Sequence, residues 1–439
     1  GHTMRYLIIY LLLINLGGIF AFALDKYKAI HNRWRIRESV LFLFALLGGA
    51  PGCLLGMYAF HHKTRHKKFT IGIPLILILE LTGLIFLFIY MEKQIPYDQD
   101  PVKLVRHELS LLKETDSEEL ENYLSYEDLF PTESSDKTIP DGIKDIFSGF
   151  YKDFSYQIKK VEKDGSHALV TVQLTTIDGK QLAKNYSQQA MRKQIQNTAT
   201  PSSVSFSLED CYLLLGKVLK DQPEDTVSSL YTISLTRTDK VWNIDAPSEL
   251  TAALTGNFAA HVSDVNLFTP SEIISIHLDT LKEFDSEQLS RYLNLDSIFT
   301  GDAEYRRTIS RALAAQLLTY LDYSILSEEI SADGVSAVVQ LELTSCDCRS
   351  MMSNYQTQVA EYTQTAQALQ DGIGGRLTRA NEILISCITE NTASTSTPVT
   401  ITMKNDGANW TMEMNDEVEN ALLGNLPEAI NEVSTHLQN

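Results

Sequence analysis

Three apolar runs crowd into the first 93 residues, and the basic segments between them restrict the fold more than any other feature. Tyr6 to Leu24 is a near-continuous run, and about 20 helical residues suffice to cross a hydrocarbon core. Val40 to Phe60 and Ile71 to Met91 are the other two. Up to Lys93 there are 11 Lys+Arg against 4 Asp+Glu, and the remainder holds 26 against 52. A small basic membrane module, residues 4–93, therefore precedes a large acidic body. That acidity argues against nucleic acid as a partner of the body, because phosphates are repelled.

The charges also orient the module. Lys26, Lys28, Arg33, Arg35 and Arg37 follow the first run, so the positive-inside bias puts the N-terminus outside and this loop in the cytoplasm. A second basic loop, His61 to Lys68, precedes the third run, and Pro96, Asp98 and Asp100 follow it. The middle run creates a conflict, since one basic loop would lie outside if it crossed. Gly48-Gly49-Ala50-Pro51-Gly52 interrupts it, and glycine with proline at that density breaks helices. Two architectures stay open: two spans plus a broken re-entrant hairpin, or three spans whose glycines serve packing. The hairpin is preferred because it keeps both basic loops on one side. It makes this a multi-pass cell-membrane protein with an extracytoplasmic body, whereas three spans would leave the body in the cytoplasm.

The ordered string Asp25-Lys26-x-x-Ala29, Arg35-Ile36-x-Glu38, Gly48-Gly49-x-x-Gly52, His62-Lys63-Thr64 and Phe69 resembles a bacterial membrane-protein family, domain of unknown function 1294. The likeness covers about residues 7–90, and Arg37 stands where the family usually has proline. The family has no established activity, so the resemblance implies placement and no mechanism.

Asp25, Lys26, Arg35, Glu38, His62 and Lys63 are the candidate functional residues of the membrane module, together with Glu80 inside the third run. An intramembrane carboxylate costs several kcal/mol if charged and is by default a functional candidate. Glu80 could pair with a hairpin Lys or Arg, carry a proton, or sit protonated against a neighbouring helix; the last is favoured because no second intramembrane charge completes a relay. The basic loop suits anionic lipid headgroups. His62 and His66 have the i, i+4 spacing of one helix face, but no further ligand completes a metal site.

The body repeats itself at an offset of 168 to 169 positions. Lys113-Glu114, Asp116-Ser117, Leu120, Tyr123 and Phe130 align with Lys282-Glu283, Asp285-Ser286, Leu289, Tyr292 and Phe299. Asp164-Gly165 aligns with Asp333-Gly334, Trp242 with Trp410, and Gly256-Asn257 with Gly424-Asn425. Two tandem homologous α+β domains with antiparallel sheets are expected, at residues 98–262 and 266–437. Each opens with an amphipathic helix (Pro101 to Glu114; Pro270 to Glu283) and continues with a short capped helix (Ser117 to Leu124; Ser286 to Leu293) and a further helix. A hairpin with an Asp-Gly turn follows, then a helical insert of about forty residues, a second hairpin carrying the tryptophan, and a closing helix. Both tryptophans are expected in the core. This order loosely resembles the cystatin-like and nuclear-transport-factor-like cone domains of bacterial surface lipoproteins.

No Ser-His-Asp spacing, phosphate-cradling glycine loop, HExxH or DxDxDG loop is found, so no catalytic residue, metal or cofactor is assigned. Cys346 and Cys348 would share a strand face. They are ordinary buried thiols, or one bridges to Cys387, or they begin a metal site. The expected function is that of a non-catalytic, membrane-tethered binding or sensory protein. Its partners would be membrane lipids and an extracellular peptide, wall polymer or small ligand. The alternative is a membrane module acting on lipid or in proton-coupled transport, with a regulatory body. An open pocket in each soluble domain favours the first reading.

Overall fold

The computed structural model describes residues 2–31, 33–113, 149–201, 207–221, 225–413 and 415–438. The expected short helix Ser117 to Leu124 and the helix after it lie outside the described residues. The chain falls into two compact units, Gly1–Leu104 and Val105–Asn439. The second unit contains both sheets, joining what the repeat divides at residues 262–266.

The first unit is helical. Helix α1 (His2–Ile30), the broken pair α2 (Glu38–Phe44) and α3 (Ala50–Ala59), and α4 (Lys67–Gln94) follow in order. Three helices are long and apolar enough to cross a membrane: Arg5–Ile30, Glu38–Ala59 and Lys67–Met91. The second of these doubles back. Between α2 and α3 lies a widened turn, Ala45–Gly49, in which Gly48 takes φ 99°. A straight helix would separate Leu41 from Cys53 by about 18 Å. Instead the Cys53 thiol lies 3.9 Å from the Leu41 carbonyl. The Lys63 ammonium likewise meets the Glu38 carboxylate at 2.8 Å, so both ends of the segment emerge together. Length and composition alone fit a span; the contacts define a hairpin.

Packing explains why the hairpin holds. A Cβ on Gly52 would lie 2.1 Å from the Asn15 carbonyl oxygen, so only glycine lets α3 approach α1 this closely. Phe22, Leu41, Cys53, Met57, Phe69 and Ile73 are fully enclosed around this contact. Phe69 stacks on Phe42 at 4.7 Å and meets Phe22 edge-on at 6.1 Å.

The second unit contains two four-stranded antiparallel sheets with the strand orders β1-β2-β3-β4 and β5-β6-β7-β8. It begins within α5 (Pro101–Leu111). The first sheet is β1 (Ser155–Asp164), β2 (His167–Ile177), β3 (Thr226–Thr238) and β4 (Val241–Ile244). The expected insert is two helices, α6 (Gly179–Thr198) and α7 (Leu208–Asp221). Helices α8 (Pro247–Leu254) and α9 (Phe258–Val262) close this part. The second sheet is preceded by α10 (Pro270–Lys282), α11 (Ser286–Tyr292) and α12 (Ala303–Tyr320). Its strands are β5 (Asp322–Ile330), β6 (Ser336–Cys346), β7 (Ser394–Asn405) and β8 (Trp410–Glu413). Here the insert is three helices, α13 (Cys348–Thr363), α14 (Ala366–Gln370) and α15 (Gly372–Thr389). Helices α16 (Asp416–Leu422) and α17 (Leu426–Gln438) end the described chain.

Alternation dictates which sheet face is covered. Ala168, Val170, Val172 and Leu174 of β2 are buried, as are Ala337, Val339, Leu341 and Leu343 of β6. Trp242 and Trp410 are buried as expected. Aligned residues also pair alike. Val172 faces Ile158 and Leu341 faces Ile325, and in each case the register slips by one residue just beyond, at a β-bulge. Asp178 and Asp347 cap α6 and α13 at matching positions. Asp285 forms a capping box at α11, as the Asp-Ser step predicted.

Candidate functional site

The hairpin creates a chemical problem at its tip. Breaking a helix at membrane depth leaves amide and carbonyl groups without partners, each costing several kcal/mol in hydrocarbon. Side chains of α1 and α4 meet that need. Glu80 Oε1 accepts from the Gly48 amide at 3.1 Å. Asn15 Nδ2 donates to the Gly48 carbonyl at 2.9 Å, and Asn15 Oδ1 accepts from the Gly52 amide at 2.7 Å. Tyr10 donates to the Leu47 carbonyl at 2.7 Å. Glu80 thus holds the backbone of the hairpin tip rather than a hairpin Lys or Arg. Asn15 and Tyr10 were missed from the sequence, although an amide within an apolar run is itself a signal.

At the other end of the hairpin, Asp25 is fully buried and ties three segments together. Oδ1 accepts from the Ile36 amide at 2.9 Å, where the chain enters α2. Oδ2 meets His62 Nε2 at 2.7 Å, where the chain leaves α3. His61 and Lys63, on either side of His62, are in the left-handed region at φ 49° and 61°. Such strain persists only where surrounding contacts over-determine it. Lys63 reaches Glu38 and also lies 4.8 Å from the centre of the Phe69 ring.

Of the residues singled out from the sequence, Asp25, Glu38, His62 and Lys63 converge here, Glu80 lies at the opposite end of the hairpin, and Lys26 and Arg35 stand outside the network. The expected helical face shared by His62 and His66 does not form: residues 61–66 are a turn, and His66 is the N-cap of α4. Among the described residues, no group of three His, Cys, Asp or Glu could hold a metal ion.

The second unit holds several concave features among the described residues, and two of them differ sharply in openness. An open groove of about 590 Å³ lies beside β3, lined by Val227, Leu230 and Tyr231 and by Glu249, Ala252 and His261. The second is a cavity of about 30 Å³ bounded by His277, Tyr292, Leu343 and Ile401. Within it His277 Nε2 is hydrogen-bonded to the Tyr292 hydroxyl. Burial depresses His277 to about 4 and raises Tyr292. The hydrogen bond therefore joins a neutral imidazole to a neutral phenol.

All five cysteines are free and buried. Cys346 ends β6 and Cys348 begins α13, so the pair straddles two elements instead of sharing one strand. Their sulfurs lie 4.0 Å apart, while Cys387, the expected bridging partner, is a free thiol of α15. The Cys346 sulfur and burial hold the Cys348 thiol well above its usual range. It donates to the Leu423 carbonyl at 3.3 Å.

A clamped, side-chain-capped hairpin between two long apolar helices defines a membrane-associated protein with a large sheet-containing extension. The family described as "Protein of unknown function (DUF1294)" matches residues 15–69, which include the Asp25–His62 clamp and the hairpin tip. The chain is 49% identical over 71 residues to "Uncharacterized protein YsdA" of Bacillus subtilis (strain 168), covering 16% of this chain and 80% of that one. The chain belongs to this family of unknown function through its membrane module. A crystal structure of a candidate lipoprotein (ycdA) from Bacillus subtilis subsp. subtilis str. 168 covers 62% of this chain and 94% of that one. Its identity is 13% and its TM-score 0.22, too low to define a common fold.

Proposed function

We propose that this protein is a membrane-tethered, extracytoplasmic binding protein without catalytic chemistry. The observation that carries the placement is the Asp25 carboxylate meeting both Ile36 and His62. With those segments joined, the loop holding Lys26 to Arg37 and the loop holding Lys63 to Lys68 lie at one end of the helices. Both then satisfy the positive-inside bias together. Helix α4 runs away from that end, which supports a soluble body on the opposite, external side. The open groove beside β3 supports a binding role for the first sheet alone, the second offering a cavity of about 30 Å³; the hydrogen bond of Glu80 to a backbone amide favours a capping carboxylate over a proton relay. The shared register and bulge positions of the two sheets support an origin by tandem duplication of one cone-like, cystatin-like domain.

The test is labelling of intact cells by a membrane-impermeant maleimide. Ser166→Cys places a thiol at the exposed turn between β1 and β2, and the five native thiols are buried. Arg65→Cys places one in the second basic loop. The expected outcome is that the Ser166→Cys variant is labelled in intact cells and the Arg65→Cys variant only after lysis. The reverse pattern overturns the placement.

A further inference from the structure

We propose that the unpaired edge of β3 binds an extended peptide as an added strand, with apolar residues in the adjoining groove and neutral or basic residues outward. This rests on the binding role proposed above and names its ligand class. Strand β3 covers Thr226–Thr238, but β4 pairs only with Leu235–Thr238. Among the described residues, no strand pairs with that edge from Thr226 to Ser234. The direction of its amides is set by two neighbouring bonds. The Ser234 carbonyl accepts from Asp245 on the β4 side at 2.8 Å, while the Arg237 amide donates the other way, to Ser166, at 2.7 Å. Orientation alternates along a strand. Ser228, Leu230 and Thr232 therefore turn their amides and carbonyls to the open edge.

The second sheet closes the same position. Leu230 faces Gln173 in the first sheet, and Pro398 faces the aligned Glu342 in the second. Proline has no amide to offer a new strand, a common way of blunting an edge. The neighbouring outward carbonyl, Thr400, accepts from Asn415 Nδ2 at 3.4 Å. In the first sheet Leu230 keeps its amide and is 69% exposed, and Val227 is 43% exposed.

The groove beside this edge supplies the second half of a strand-addition site, in which backbone bonds give affinity and pockets read alternate side chains. Its far wall is Ala252, Ala253 and Gly256, small enough to admit apolar side chains. The acid excess of the body selects against an acidic peptide and, by self-repulsion, against a second copy of the chain.

The test uses the full-length protein in lipid nanodiscs and a fluorescent ten-residue peptide of repeating Lys-Val-Thr-Val. Saturable binding is expected, with hydrogen exchange slowed at Leu230 and Thr232. Affinity should fall by about tenfold or more on Leu230→Pro, or when alternate peptide amides are N-methylated. Replacing the peptide lysines by glutamate should also weaken binding. Were Leu230→Pro to impair folding, exchange at those two wild-type amides decides alone. Protection elsewhere, unchanged affinity for the N-methylated peptide, no binding at millimolar peptide, or dimers formed through this edge would each overturn the proposal. Nanodiscs expose both membrane faces, so an error in the proposed topology would not affect this outcome.

Discussion

His277 is a side chain whose charge is decided by its surroundings. With its folded value near 4 and an unfolded value near 6.5, the unfolded chain takes up a proton first as pH falls. Stability should therefore be flat above about pH 6.5 and decline between there and pH 4, losing about 2 kcal/mol from pH 7 to pH 5. Denaturant melts at those two pH values should show the decline, and His277→Leu should remove that component. Glu80 presents the opposite case, a carboxyl valued for an acceptor oxygen. Glu80→Gln retains a carbonyl for the Gly48 amide and should leave abundance and protease resistance near wild type. Glu80→Leu strands that amide and should cost about 2 kcal/mol or more, read as faster proteolysis of the module in membranes. Selective loss of a cellular phenotype in Glu80→Gln, with folding intact, would instead favour proton chemistry.

At the scale of elements, the hairpin shows what the chain makes legible and what it withholds. The break at Gly48–Gly52 was readable, because helix breakers act locally. The Asp25–His62 bond was not, because it joins residues 37 apart and only the folded path brings them together. The caps at Asn15 and Tyr10 were hidden for the same reason. Packing also separates glycines that look alike. Gly52→Ala should force α3 from α1 and lower the module's stability by about 2 kcal/mol or more. Gly83→Ala, where a Cβ meets nothing within 4 Å, should be tolerated. Thermal melts in one detergent compare the two; equal effects would refute the close-approach argument.

At the scale of the whole molecule, the repeat predicted two antiparallel sheets, their Asp-Gly turns and their buried tryptophans. These follow from alternation and turn chemistry recorded residue by residue. Strands β3 and β7 reach back to Thr226 and Ser394, ahead of the buried alternation that begins at Ile233 and Val399. Those extra residues are mostly polar and exposed, so no buried face announces them. The groove beside β3 was illegible because its walls come from segments some 25 residues apart, Val227 and Ala252 among them. The contrast between Leu230 and Pro398 is plain in the chain, but has no meaning until register makes them equivalent.

The hairpin's limited reach has a consequence for the bilayer. Near Asp25 four helical rods stand side by side, but past Gly48 only α1 and α4 continue, with Tyr6, Ile8, Phe86 and Phe88 facing outward. In a bilayer, such a tapered body would take up more area in one leaflet than in the other. A membrane accommodates that imbalance most readily where it is already bent.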